Sequence, residues 1–249
     1  MRLMLLNPNT TTALTERLVA SARSILPDEV TLVPVTAERG FPYISSRPEA
    51  QLAGAEVLEI VAAHLPAVDA VTIAAFGDPG LDAAREAFDL PITGMTEAAM
   101  VTALQLGQTF AFVTFTPQIA PWYRDQVTRA QLSARFAGVF SPRQGFGDIT
   151  SVAEDLTDAL RETCKVAARH ADVLVLAGAP IAGLASVIEK DVPAVLIDPV
   201  KAAVLQAHAL WRLRPKGADK GGYARPPGKA SVGLSSHLSG WLQRETTRD

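Results

Sequence analysis

Asp69-Ala-Val-Thr-Ile-Ala-Ala-Phe-Gly-Asp-Pro-Gly-Leu81 reappears in the same chain as Asp172-Val-Leu-Val-Leu-Ala-Gly-Ala-Pro-Ile-Ala-Gly-Leu184. The two copies lie 103 residues apart at both ends, from position 69 to 172 and from 81 to 184. Each copy is an apolar run typical of a strand buried on both faces, followed by a Gly-rich loop and a helix. A duplicated strand, loop and helix predicts two similar halves that face each other across a cleft.

Strands and helices alternate around the two copies, and a second pair of segments matches at an offset of 107 residues. In that pair Leu6-Asn-Pro-Asn9 corresponds to Val113-Thr-Phe-Thr116. The predicted strands are 2–7, 30–35, 69–75, 91–94, 109–114, 172–177 and 193–197. The predicted helices are 14–26, 48–64, 80–88, 96–106, 117–134, 151–170, 199–212 and 233–244, the first capped by Asn9, Thr10 or Thr11. This order predicts an α/β protein of two pseudo-symmetric domains, each with a mainly parallel sheet flanked by helices.

Composition excludes several classes of protein. The 249 residues are 48% hydrophobic and 20% charged, with a net charge of −3, which gives no basis for binding nucleic acid or an anionic membrane. No apolar run reaches the roughly 18 residues of a membrane span. A single cysteine, Cys164, excludes an internal disulfide and a thiolate-rich metal site. We therefore expect a cytoplasmic protein without a bound metal.

Ligands of parallel α/β sheets bind beyond the carboxyl ends of the strands, so the strand ends carry the candidate site. The Gly-rich loops lead into helix N-termini, whose free amides favour an anion or a carbonyl oxygen. A small polar ligand, carboxylate or amide-like, is therefore expected between the halves. The alternative is that these glycines only allow helices to pack tightly on strands. The strand ends and the motifs of the next paragraph together give the predicted binding residues. They are Asn7, Ala75, Phe76, Gly77, Thr114, Phe115, Thr116, Gly178 and Ala179.

Several short motifs of the chain resemble those of the aspartate/glutamate/hydantoin racemases. The resemblance is closest to the hydantoin and allantoin racemase branch. The motifs are Asn7-Pro-Asn-Thr10, Phe76-Gly-Asp-Pro-Gly80, Glu97-Ala-Ala99, Ala182-Gly-Leu184, and Tyr223-Ala with Pro226-Pro. The resemblance implies an active cleft between the two domains, no cofactor, a small-molecule substrate and a homo-oligomer. It also implies that residues 1–96 and 212–249 form one domain and residues 97–211 the other.

Racemases of this family use two cysteines, one on each side of the substrate α-carbon. One thiolate removes the α-proton and the other thiol returns a proton to the opposite face. The resemblance places those cysteines at Ala75 and Gly178, where this chain has a methyl group and a hydrogen atom. The two-thiol mechanism is therefore excluded. The family often has consecutive threonines after its fifth strand, whereas Phe115 here separates Thr114 from Thr116.

Few other residues can replace the thiols. Asp78 and Thr116 are the candidates for catalysis, although Asp78 in Asp-Pro-Gly also fits a turn residue that binds its own loop amides. Glu97 is expected to stabilise the start of a helix rather than to act in catalysis, because a carboxylate is favourable at a helix N-terminus. Cys164 lies on the apolar face of a helix and is expected to be a buried structural residue.

Three functions stay open at this point. The first is a racemase or isomerase with a rearranged site, acting on a small amino-acid, hydantoin or carboxylate substrate. The second is a one-sided lyase, decarboxylase or isomerase on the same frame. The third is a non-catalytic protein that binds a small molecule. Residues 213–230, rich in Gly, Pro and positive charge, are either a solvated crossover or a flap over a carboxylate.

Overall fold

Two parallel four-stranded sheets organise the molecule. The computed structural model describes residues 1–213 and 220–244. The first sheet has the order β2-β1-β3-β4 and the second the order β6-β5-β7-β8. The strands are β1 (Arg2–Asn7), β2 (Thr31–Thr36), β3 (Ala70–Ile73), β4 (Ile92–Gly94), β5 (Phe110–Val113), β6 (Phe136–Phe140), β7 (Val173–Leu176) and β8 (Val195–Ile197). The predicted α/β architecture is confirmed.

Ten helices connect or cover the strands in the described part of the chain. They are α1 (Thr12–Arg23), α2 (Arg47–His64), α3 (Leu81–Ala87), α4 (Met95–Leu106), α5 (Ala120–Arg129), α6 (Val152–Asp155), α7 (Thr157–Ala167), α8 (Leu184–Ile188), α9 (Pro199–Leu213) and α10 (Ser236–Leu242). No helix among residues 1–213 and 220–244 is long and apolar enough to cross a membrane.

The register of the strands confirms both internal repeats. Leu6 of β1 lies opposite Ile73 of β3, and Val113 of β5 lies opposite Leu176 of β7. The pair in the second sheet is therefore offset from the first by 107 residues in one strand and by 103 in the other, as the sequence predicts. The two sheets consequently bring their matching strand ends to equivalent positions.

Two helices are exchanged between the sheets. Helix α4 follows the last strand of the first sheet but packs on β7 and β8 of the second. Helix α9 follows the last strand of the second sheet but packs on β1, β3 and β4 of the first. The two helices also contact each other, where the Gln206 amide donates to the Ala98 carbonyl at 2.9 Å. Each sheet is therefore covered partly by a helix from the other half.

The helix exchange bears on the domain boundaries. The division into residues 1–96 plus 212–249 and residues 97–211 stays a prediction. Helix α10 packs on α2, which is in keeping with the predicted place of the C-terminal segment in the first domain. Helix α9 instead packs on the first sheet, and the Thr93 hydroxyl of β4 donates to the Ala203 carbonyl at 3.0 Å. Residues 199–211 therefore pack on the first sheet, although the prediction assigns them to the second domain.

Some local predictions were wrong. The sequence prediction missed strand β6, and separately it extended the helix 117–134 too far. Helix α5 ends at Arg129, and Gln131 adopts a left-handed φ of 59° that stops it. Thr11 stands at the N-cap of α1, but its side chain makes no capping bond. Its own amide instead donates to Asn9 Oδ1 at 3.0 Å, so Asn9 stabilises the turn before the helix.

Candidate functional site

A small cavity lies between the carboxyl ends of the two sheets. Ala75 and Gly178 stand two residues beyond the ends of β3 and β7 and both line it. The cavity has a volume of about 20 Å³, which is room for about one water molecule. Its lining consists of Asn9, Leu14, Tyr43, Ile44, Ala75, Phe76, Phe115, Tyr123, Gly178, Ala179 and Pro180. We call it the inter-sheet cavity.

Gly178 and Phe115 form one wall of the inter-sheet cavity. Gly178 has a φ of +136°, a conformation that side chains of L-residues rarely adopt. A Cβ added there would lie 2.9 Å from Cε1 of Phe115. The Phe115 ring, itself packed edge-on against Phe146 at 5.4 Å, therefore occupies the space that a side chain at 178 would need.

Ala75, Phe76 and Gly77 form the opposite wall and its margin. Ala75 is 5% exposed, and the Phe76 ring packs against Tyr123 with centroids 4.7 Å apart. The Gly77 amide donates to the Thr96 hydroxyl at 2.5 Å. A Cβ at Gly77 would overlap the Trp122 ring, which packs directly on this glycine. Neither Gly77 nor Trp122 is part of the cavity lining, so their contact packs the loop behind Ala75 and Phe76.

The polar side chains of the inter-sheet cavity are those of Asn9, Tyr43 and Tyr123. Within residues 1–213 and 220–244, no charged side chain is part of its lining. Burial raises the pKa of Tyr123, and the nearby Asp78 carboxylate raises it further, so the phenol stays protonated at neutral pH. The cavity thus offers neutral hydrogen-bonding groups set among apolar walls.

The Asn7 side chain makes hydrogen bonds to other residues of the protein. It is fully buried, and its amide nitrogen donates to Asn9 Oδ1 and Thr15 Oγ1, both at 2.9 Å. Its carbonyl oxygen accepts from the Asn9 amide at 3.2 Å. Asn7 does not line the inter-sheet cavity; it holds Asn9, which does.

Asp78 faces a helix N-terminus instead of the inter-sheet cavity. Its two carboxylate oxygens accept the amides of Thr96 and Glu97 in the first turn of α4, each at 2.8 Å. The residue is partly exposed, but its carboxyl group lies beneath the surface, and this burial raises its pKa to about 7 against the lowering effect of the two amides. The Asp78 carboxylate therefore binds amides of α4, which lies beyond α3 and β4 in the chain, and not the amides of its own loop. Glu97 forms a two-pronged ion pair with Arg85 at 2.7 and 2.8 Å.

The remaining candidates lie at different depths. Thr114 is fully buried, and its hydroxyl has no hydrogen-bond partner among the described residues. Thr116 is 9% exposed and lies just outside the cavity lining. Cys164 is fully buried on α7, and burial raises the pKa of its thiol to about 12, which leaves almost no thiolate near neutral pH.

The loop over residues 213–230 lies in part outside the described residues, which omit 214–219. Beyond the gap, the Tyr223 hydroxyl donates to Asp82 at 3.0 Å, and the ring lies 5.9 Å from the Arg85 guanidinium. This part of the loop is thus held on the first half, away from the residues of the inter-sheet cavity.

Six residues of the cavity lining are not among the predicted binding residues. Asn9, Leu14 and Pro180 lie in or just after the loops that follow β1 and β7, and the other three come from elsewhere. Tyr43 and Ile44 come from the loop between β2 and α2, and Tyr123 comes from α5. None of them follows a strand of the sheet directly, so the strand-end rule gives no signal for them. The short apolar Phe41-Pro-Tyr-Ile44 before the Ser46 cap of α2 is the one feature that could have drawn attention to the loop.

Comparisons with known proteins agree on one family. The profile described as Asp/Glu/Hydantoin racemase matches residues 3–207. A hydantoin racemase of Paenarthrobacter aurescens is 31% identical over 237 residues, covering 92% of this chain and 99% of the relative. A hydantoin racemase of a Pseudomonas species (strain NS671) is 31% identical and covers 99% of both chains. The structure of an allantoin racemase from Klebsiella pneumoniae superposes with a TM-score of 0.87 at 30% identity, covering 96% of this chain and 98% of that one.

Proposed function

The chain belongs to the Asp/Glu/hydantoin racemase family, and we propose that it binds a small neutral cyclic amide of the hydantoin type between its two sheets. We further propose that it does so without racemising that ligand through paired thiols. The observation that carries the proposal is the lining of the inter-sheet cavity, which has three neutral polar side chains among apolar walls and no charged side chain among the described residues, with Ala75 and Gly178 at the two matching strand ends.

The polar groups of the cavity favour an amide over a carboxylate. An isolated carboxylate buried without a cation is strongly unfavourable, since burial removes its hydration. The cavity's polar side chains, Asn9, Tyr43 and Tyr123, are neutral donors and acceptors that match the N–H and C=O groups of a cyclic amide. The curated relatives of similar length are named hydantoin racemases, which supports the same choice.

The two strand ends argue against proton exchange by the family's route. Neither the methyl group of Ala75 nor the hydrogen of Gly178 can accept or donate a proton. The single thiol, Cys164, is buried in α7 with its pKa raised, and it is not part of the cavity lining. The ligand's α-carbon would therefore lie between two inert groups.

The inter-sheet cavity must also enlarge before it can hold such a ligand. Its volume of about 20 Å³ accommodates about one water molecule, whereas a hydantoin ring has five ring atoms and two carbonyl oxygens. We therefore expect the loop bearing Tyr43 and Ile44 to move when a ligand enters, because this loop lies at the protein surface.

The test measures binding and proton exchange on the same panel. Hydantoin, 5-benzylhydantoin and allantoin should raise the melting temperature, whereas aspartate and glutamate should not. A ligand at about a hundred times its dissociation constant adds roughly 2.7 kcal/mol of stability. In deuterium oxide, exchange at C5 of 5-benzylhydantoin should stay at the protein-free rate.

Two results would contradict the proposal. Stabilisation by the dicarboxylic amino acids but by none of the cyclic amides would overturn the ligand class. Exchange at C5 faster than the protein-free rate, and proportional to protein concentration, would overturn the absence of racemisation and favour an enzyme with a rearranged site.

A further inference from the structure

Tyr123 is the polar residue that the second half contributes to the inter-sheet cavity. It is 2% exposed and stands on α5, whereas Asn9 and Tyr43 come from the first half of the chain. Its ring is fixed by Phe76 at 4.7 Å, by Trp122 at 5.5 Å and by Phe112 at 6.4 Å, measured between centroids. These aromatic neighbours restrict the movement of the ring.

The Thr114 hydroxyl next to Tyr123 lacks a partner. It lies near enough to the phenol to lower the pKa of Tyr123 slightly against the larger effect of burial, yet it completes no hydrogen bond of normal geometry. A buried hydroxyl without a partner is unfavourable, and such groups in folded proteins usually have a function or an unseen partner. Thr114 and Tyr123 together thus form a pair of hydroxyls whose hydrogen-bonding capacity the protein itself leaves partly unused.

We propose that Tyr123 is the hydrogen-bond donor that recognises a carbonyl oxygen of the bound ligand, and that the Thr114 hydroxyl supports it by donating a hydrogen bond to the phenol oxygen. The inference rests on the proposed function and deepens it, since it assigns one residue to the recognition of a cyclic amide. Ligand entry brings an acceptor to the phenol, and the small shift of the ring that accompanies it completes the bond to Thr114. Tyr123 is then a binding residue, and Thr114 is a positioning residue that acts through it.

The test compares Tyr123→Phe with the unmodified protein. Phenylalanine keeps the ring packed against Phe76 and Trp122, so the variant should fold with an unchanged or slightly higher melting temperature in the absence of ligand. Its dissociation constant for 5-benzylhydantoin, measured by calorimetry, should rise about tenfold, the effect of losing one good hydrogen bond. Thr114→Val should raise the dissociation constant by a smaller factor and should lose its effect in the Tyr123→Phe background.

The control is Tyr223→Phe, which removes an exposed hydroxyl bound to Asp82 outside the cavity and should leave binding unchanged. A Tyr123→Phe variant that binds 5-benzylhydantoin as tightly as the unmodified protein overturns the assignment of Tyr123 alone. A marked loss of stability in the ligand-free variant shows instead that the hydroxyl is structural, and also overturns it. Failure of the unmodified protein to bind any cyclic amide overturns the proposed function and this assignment together.

Discussion

At the scale of single residues, Asp78 and Asp172 perform the same task in opposite environments. Each accepts two backbone amides: Asp78 those of the first turn of α4, and Asp172 those of Gln108 and Thr109 at 2.8 and 2.9 Å. Burial raises the pKa of Asp78 to about 7, whereas the amides of Thr109 and Gln108 lower the pKa of the exposed Asp172. The same hydrogen bonds therefore have opposite consequences for the pH dependence of stability.

Asp78→Asn should reveal this dependence. Between about pH 4 and pH 7 the folded state keeps a proton on Asp78 that the unfolded chain has released, so this group lowers the stability as the pH rises. The variant also loses an acceptor for one amide of α4, at a cost of about 1–2 kcal/mol. That cost, measured by urea denaturation, should be largest near pH 4 and should decrease toward pH 7.

Asp172→Asn is the matched control with the opposite sign. Because the pKa of Asp172 is lowered on folding, its contribution is present above the unfolded pKa and is lost as the pH falls through the folded value. The cost of this substitution should therefore shrink on acidification. Parallel pH profiles for the two variants would contradict the difference in environment that the structure describes.

The two family cysteine positions should also respond differently to restoration. Ala75→Cys should fold with little loss of stability, because Ala75 lies on the cavity wall without a left-handed φ. Gly178→Cys should cost about 1–3 kcal/mol, because its φ of +136° is strained for cysteine and its Cβ would meet Phe115.

A double-mutant cycle separates the two causes at Gly178. If the Phe115 ring is the obstacle, Phe115→Thr and Gly178→Cys together should cost about 1 kcal/mol less than the sum of the single changes. Additive costs in chemical denaturation would show that the backbone conformation at 178 alone opposes a side chain. Either single cysteine would leave only one thiol at the cavity, which is insufficient for transfer between two faces.

At the scale of elements, the N-terminus of α2 positions the loop that covers the inter-sheet cavity. Ser46 and Glu49 form a capping box, in which the Glu49 carboxylate accepts the amides of Ser45 and Ser46 at 2.6 and 3.1 Å. Tyr43 and Ile44 immediately precede these residues and line the cavity. The helix start and the cavity wall are therefore one continuous piece of chain.

Glu49→Ala should loosen this segment. Two backbone amides lose their acceptor, so the free energy of unfolding should fall by about 1 kcal/mol and hydrogen exchange of residues 43–46 should accelerate. Glu56→Ala on the same helix is the control, because Glu56 pairs with the 75% exposed Arg39 side chain and not with the backbone amides before α2. Equal exchange of the loop in both variants would argue against a link between the cap and the cavity wall.

At the scale of the whole molecule, exchanged helices make the two halves depend on each other. Helix α4 covers the second sheet and α9 the first, and the two pack together at the centre. The buried Asp198 before α9 extends the connection, since it accepts the Ser21 hydroxyl of α1 and the Gly183 amide, both at 2.7 Å. Neither sheet has its complete apolar cover without a helix from the other half.

The molecule should consequently unfold as one unit. Urea transitions followed by far-ultraviolet circular dichroism and by tryptophan fluorescence should coincide at one midpoint. A fragment of residues 1–94 should remain largely unfolded, because it lacks α9 over β1, β3 and β4. Two separated transitions, or a folded fragment, would show that each half is stable without the exchanged helix.

The sequence by itself determined the two-fold repeat, the order of seven of the eight strands, and the inert residues at the matching strand ends. These features depend on hydrophobic periodicity and on residue identity, which are local and readable along the chain. Repetition at offsets of 103 and 107 residues was enough to predict two parallel sheets with equivalent ends, and the register confirms it.

Only the tertiary structure decided which helix covers which sheet and which polar groups reach the inter-sheet cavity. The prediction placed α4 and α9 in chain order but did not assign either to a sheet, and their exchange is seen only in the packing. Tyr123 and Tyr43 reach the cavity from a helix and a loop that do not follow its strand ends directly, and the wall that Phe115 makes over Gly178 depends on one ring and one backbone angle. Such contacts join residues far apart in the chain, and their geometry exists only once the two halves have come together.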